Sequence, residues 1–129
     1  MKSLEQTSGP WGGFWTQYHQ RGAMKFTLTF SEGSVFGDGT DRGGNFNFEG
    51  TYSDRDRVDL TKRYDPLSVL TNFSCPEIRY RGKWNGQFIA GTWWQVGYPE
   101  NKGVIELWPL DSEESLEAFM LESEMVERV

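Results

Sequence analysis

Ala23-Met24-Lys25-Phe26-Thr27-Leu28-Thr29-Phe30 sets Met24, Phe26, Leu28 and Phe30 against Lys25, Thr27 and Thr29 at a period of two. Side chains alternate faces along a strand, so this stretch reads as a half-buried strand with one apolar side. Residues 45–52 repeat the pattern, with Phe46, Phe48, Gly50 and Tyr52 opposing Asn45, Asn47, Glu49 and Thr51. Residues 34–39 fit a strand between them, bounded by short Gly-bearing connections of the kind hairpins need. Outward from this centre, residues 13–18 supply a first strand. Residues 58–64, 77–83, 87–95 and 103–108 supply four more, with the Asn85-Gly86 pair marking a hairpin. Eight short strands at regular intervals, with no helical period between them, predict a barrel or sandwich, and closure removes exposed edges.

Composition agrees. The 129 residues are 16% aromatic, with nine Phe, six Trp, five Tyr and fifteen Gly. Aromatics fit pleated surfaces and glycine fits tight turns. That length suits one domain. No apolar run approaches the ~20 residues that span a bilayer, so no membrane association is expected. The first ten residues are polar, without the apolar core of a secretion signal, and are read as a disordered tail. Cys75 is the only cysteine, which rules out an internal disulfide and fits a reducing compartment. A cytoplasmic location is the expectation.

After Pro109 the period changes. Asp111 with Glu114 reads as a helix N-cap and its capping-box partner. Leu116, Phe119, Met120 and Val126 form an apolar stripe at helical spacing. Residues 111–129 are therefore expected to form an acidic amphipathic α-helix, docked on the barrel or offered to a partner or a second copy. Seven acids and one base lie here, leaving twelve of each in residues 1–110, so the net charge of −6 resides in this tail. That balance argues against nucleic-acid binding. The connection from Asp65 to Pro76 is long and holds Leu67, Val69, Leu70 and Phe73. It reads as an apolar plug, a partial strand, or a lid over a barrel mouth.

Few residues cluster in a way that carries chemistry. One His and one Cys do not make a zinc site. The loop Asp38-Gly39-Thr40-Asp41 lacks the register of a calcium loop, and its acids read as turn formers. No metal or cofactor is expected. Nothing places His19 beside Cys75, so no nucleophile–base pair is assigned and the protein is not read as an enzyme. Lys62 shares a strand face with Val58, Leu60 and Tyr64. If that face is internal, an ammonium enters an apolar barrel and needs a partner, for which Glu106 is the candidate. Lys62 could then anchor an acidic head group, or snorkel from a strand end. Arg79, Arg81 and Lys83 share a face near Arg63, as a solvated wall paired with Asp59 or as a basic stripe for an anionic partner. Trp93-Trp94 sends one indole to each side. With Ile89, Gly91 and Trp93 inward, Trp94 and Trp84 are expected outside, as contact surface or, for Trp94, beneath the C-terminal helix.

Three features together resemble the calycin group, the avidin-like and lipocalin-like barrels. Gly13-Phe14-Trp15 is similar to that group's Gly-x-Trp opening of the first strand, where the Trp plugs one end of the barrel. An eight-strand meander follows. The stretch from Gly37 to Tyr52, with Phe46 and Gly50-Thr51-Tyr52, resembles the second hairpin region of avidin-like chains. The chain departs from the group in lacking a basic residue over residues 104–108 to cover the opening Trp, and in lacking the polar set of avidin-like biotin sites. The resemblance implies a barrel of this kind and a ligand held inside it, and no biotin-binding residue carries over.

The fold expectation is thus all-β, an eight-stranded antiparallel up-and-down barrel over residues 11–110, followed by a C-terminal helix. The functional expectation is a non-enzymatic binding module holding a small apolar or amphipathic ligand. Its interior site would comprise Trp15, Phe26, Phe48, Tyr52, Lys62, Tyr64, Tyr80, Trp93 and Glu106. The alternative is a protein–protein interaction domain with a side-chain-filled barrel, using Trp84, Trp94, Leu116, Phe119 and Met120.

Overall fold

The computed structural model describes residues 3–66 and 77–110. Eight strands run in chain order: β1 (Gly9–Gln17), β2 (Gln20–Ser31), β3 (Ser34–Asp41), β4 (Gly44–Tyr52), β5 (Arg57–Tyr64), β6 (Glu77–Trp84), β7 (Ile89–Gln95) and β8 (Tyr98–Pro109). Each pairs antiparallel with the next, and β1 pairs with β8, so the sheet closes into a barrel. This architecture is consistent with a calycin-like fold. The β2–β3 turn shows how local chemistry sets the register. Glu32 and Gly33 both take positive φ, 50° and 84°, which gives a two-residue hairpin its matching twist and puts Ser31 opposite Ser34.

The period-two face of β2 points inward, as its alternation requires. Met24, Phe26, Leu28 and Phe30 are buried, in one core cluster with Phe46 and Phe48 of β4. On β3 the inward positions are Val35, Gly37, Gly39 and Asp41. The two glycines let β3 lie close on β2, since a Cβ would fall 1.8 Å from the Thr27 carbonyl oxygen at position 37 and 2.2 Å from that of Lys25 at position 39, and Phe26 lies edge-on to Phe48 at 5.2 Å. An eight-stranded barrel has room only for interior side chains or one small ligand, and here aromatics fill it from one end through its middle.

That end is sealed by residues preceding β1. A disordered tail was expected over residues 1–10. Instead, Glu5–Thr7 form a 3-10 turn, Leu4 is buried, and β1 begins at Gly9. The indole of Trp11 donates to the Thr7 carbonyl (2.8 Å), and the Ser8 hydroxyl accepts from the Phe30 N–H (3.0 Å). The plug that the resemblance assigned to Trp15 is therefore Trp11, wholly buried, in the earlier Gly9-Pro10-Trp11. Trp84 packs against it at 5.9 Å. This corrects the expectation of an external Trp84: β6 extends to residue 84, and positions 80 and 84 share a face.

Glu106 is likewise corrected. Ile105 and Leu107 are the buried residues of β8, so Glu106 stands exposed on the outer wall opposite Phe14 and Ala90. Both registers of residues 104–108 present apolar side chains, Val104 and Trp108 in one and Ile105 and Leu107 in the other, and packing selected the second. The outer wall carries Trp94, half-buried beneath the Arg81 guanidinium. Two of the basic side chains there are paired: Arg81 with Asp59 (2.8 Å), and Arg63 with Glu77 (2.8 Å) and Glu49 (3.4 Å). Among the described residues no helix is long and apolar enough to cross a membrane. The expected C-terminal helix, with Leu116, Phe119 and Met120, and the long connection over residues 67–76 lie outside the described residues.

Candidate functional site

Among the described residues, the packing at the end opposite Trp11 stops short of the rim. A pocket of about 180 Å³ remains there. Trp15, Tyr64, Ile78, Tyr80 and Trp93 form its walls, Lys62 contributes to its floor, and Gln17, Gln95 and Asn101 stand at its rim. Of the nine interior residues expected from the sequence, the structure brings five together here: Trp15, Lys62, Tyr64, Tyr80 and Trp93. Phe26 and Phe48 fill the barrel below. Tyr52 lies at the sealed end, where its hydroxyl donates to Glu5 (2.6 Å).

Two walls are shaped by glycines on neighbouring strands. Trp15 faces Gly22 and Trp93 faces Gly103 in the strand registers. A Cβ on Gly22 would fall 2.1 Å from the Trp15 indole, and one on Gly103 would fall 2.5 Å from that of Trp93. The rings therefore lie flat over bare backbone and leave the mouth open. They meet edge to face at 6.3 Å, and the Trp93 N–H is held by the Thr16 carbonyl (3.0 Å). Gly22→Ala is expected to push the Trp15 ring into the pocket. Overpacking of this kind costs about 1–3 kcal/mol, read as a lowered denaturant midpoint, and should close the space to ligand.

The rim is a relay of amides. The Gln17 side chain donates to the Asn101 carbonyl, and the Asn101 amide donates to Gln95 (2.7 Å). This relay ties the end of β1 to the β7–β8 hairpin.

The floor holds an ion pair. Lys62 and Asp41 are bonded to each other, each with a side chain only 2% exposed. The ammonium also donates to the Tyr80 hydroxyl (3.3 Å) and the Met24 sulfur (3.4 Å). It lies 4.3 Å from the Phe46 ring centre and 4.8 Å from that of Tyr64. Asp41 accepts from the Tyr64 hydroxyl (2.8 Å) through the same oxygen that holds Lys62, and from the Gly43 N–H (2.8 Å) through the other. The partner that sequence reasoning sought in Glu106 is thus Asp41. Its signal was present: Val35, Gly37, Gly39 and Asp41 share a parity, which becomes visible once β3 is carried two residues further.

Burial lowers the Lys62 pKa from 10.5, and the Asp41 charge pushes it back up. Burial, then the nearby Asp41 carboxylate, raises Tyr64 above the ordinary 10.0. Burial also raises Tyr80, reinforced by Tyr64 and Asp41. Folded phenols keep protons that unfolded ones release above pH 10.0, so stability from them is lost as pH climbs past that value. Lys62 acts oppositely: its lowered folded value makes stability rise with pH up to 10.5. Two phenols outweigh one ammonium above that point. Urea unfolding should therefore show stability falling above about pH 10.5, by up to roughly 1.4 kcal/mol per pH unit for each phenol. Tyr80→Phe should remove one phenol's share of the slope, and an unchanged slope would contradict the assignment.

No group of three or more His, Cys, Asp or Glu side chains able to hold a metal occurs among the described residues. Comparison with known proteins gives no match: no family model, curated protein or solved structure corresponds to the chain. The reading of this site therefore rests on its geometry.

Proposed function

We propose that the protein is a binding module whose barrel mouth holds a small amphipathic ligand about one ring in size. The observation that carries this reading is the half-filled barrel: the aromatic packing that runs up from Trp11 ends below Trp15 and Trp93, leaving about 180 Å³ under a rim of amides. A cavity of about 150 Å³ takes a benzene ring. Two indoles offer dispersion to a flat apolar body, and the rim amides offer hydrogen bonds to a polar edge. For a ligand of about nine non-hydrogen atoms, roughly 0.5 kcal/mol per atom gives a Kd near the millimolar range. Larger affinities would need contacts beyond the pocket.

The test is a proton–nitrogen NMR titration of the full chain with one-ring amphipathic compounds. Binding should move the indole N–H signals of Trp15 and Trp93 while leaving that of Trp11 in place. Trp93→Ala should weaken binding at least tenfold. Shifts centred on the outer wall, or none at the two mouth indoles, would reject the reading.

A further inference from the structure

We infer that the mouth pocket selects an uncharged planar ring with an amide-like donor–acceptor edge, and discriminates against both carboxylates and ammonium ions. The inference deepens the proposed ligand site and rests on it.

Among the described residues Lys62 is the only charged side chain lining the pocket, which by itself would point to an anionic ligand. Its donors are already committed. An ammonium has three N–H groups, and here they meet Asp41, the Tyr80 hydroxyl and the Met24 sulfur. A carboxylate entering the mouth must shed its water and finds no vacant N–H on the floor. To win one it would have to draw an N–H away from the buried Tyr80 hydroxyl or Met24 sulfur and bring a second carboxylate beside that of Asp41, where the two negative charges repel. A cation fares no better. The ring faces of Phe46, Tyr64 and Tyr80 already hold the Lys62 ammonium, and a second positive charge beside it would be repelled.

The capacity that remains is neutral and two-sided. After the relay from Gln17 through Asn101 to Gln95, each of the three amides keeps N–H groups and carbonyl lone pairs. Free donors beside free acceptors match a ligand edge that carries both, as a primary amide or a lactam does. The flat indoles of Trp15 and Trp93 suit the ring behind that edge.

Benzamide, benzoate and benzylammonium share a ring and differ in charge, so they form the probe set, titrated into the full chain at neutral pH. Benzamide is expected to bind at least tenfold more tightly than either ion. Benzoate binding as tightly as benzamide, or more tightly, overturns the inference while leaving a ligand site at the mouth. Failure of all three to shift the mouth indoles overturns the site and the inference together. Asp41→Asn supplies a second measurement, since it frees the Lys62 charge. Benzoate should then overtake benzamide, and an unchanged ranking counts against the inference. Should that variant melt too low for titration at room temperature, thermal melts read the same claim: benzoate must raise its Tm more than benzamide does. Equal effects overturn the claim.

Discussion

Asp41→Ala should lose about 3–5 kcal/mol of unfolding free energy, a large share of a small domain's total. The loss comes less from the missing attraction than from what stays behind. Lys62 would be stranded in an interior where its side chain is 2% exposed, with no anion beside it and only a phenol oxygen and a thioether left to accept its hydrogen bonds. The pair as a unit contributes far less, because two desolvation costs offset its attraction. Lys62→Met combined with Asp41→Leu should therefore return to within about 1–2 kcal/mol of the parent. The double-mutant cycle, run by urea denaturation, should give a coupling of several kcal/mol. Arg81→Ala on the outer wall provides the contrast. Its partner Asp59 is 2.8 Å away, yet both groups are more than one-third exposed, so the loss should stay below about 1 kcal/mol. A small cost for Asp41→Ala would mean that water reaches the floor of the pocket.

The barrel was legible because its strands are one-sided. On β2 and β4 every second residue is apolar and the intervening ones are polar, so only one register buries the phenylalanines. The same logic fails where both registers are apolar, and Glu106 was misplaced for that reason. It also fails where a strand outruns its obvious pattern. Reading Asp41 as a turn former and Trp84 as part of a hairpin loop shortened β3 and β6 by one or two residues each. Those residues turned out to be the floor of the pocket and part of the plug. Half of the site was readable as aromatic parity: Trp15, Tyr64, Tyr80 and Trp93. The amides at Gln17, Gln95 and Asn101 were not, because polar side chains near hairpin ends resemble any solvated turn. What brings them together is barrel closure, which sets β1 beside β8 across some ninety residues of sequence. The polar opening of the chain misled in the opposite direction. One leucine, Leu4, held by a 3-10 turn, suffices to make it part of the core.

The chain opens with two Gly-x-Trp triplets four residues apart, and they should respond to truncation in opposite ways. Trp11 is fully buried, within 5.8–6.4 Å of the rings of Phe26, Phe30 and Trp84, and its N–H fixes the turn that closes the barrel. Trp11→Ala should cost about 3–5 kcal/mol. It also leaves the Thr7 carbonyl without its indole donor, so cleavage within residues 3–8 by a broad-specificity protease should accelerate. Trp11→Phe, which keeps a ring but not the N–H, should fall between, and its protease sensitivity should exceed that expected from its stability alone. Trp15 borders open space, so Trp15→Ala deletes surface that is already partly wet. Its cost should stay near 1 kcal/mol while ligand binding at the mouth is lost. Four residues advance a strand by two full side-chain periods, which keeps both indoles on the inner face while moving the second about 13 Å along the strand. One face therefore serves stability at the sealed end and recognition at the open one. Equal losses of stability at the two tryptophans would show that the mouth is packed like the base, and the division between plug and pocket would fall.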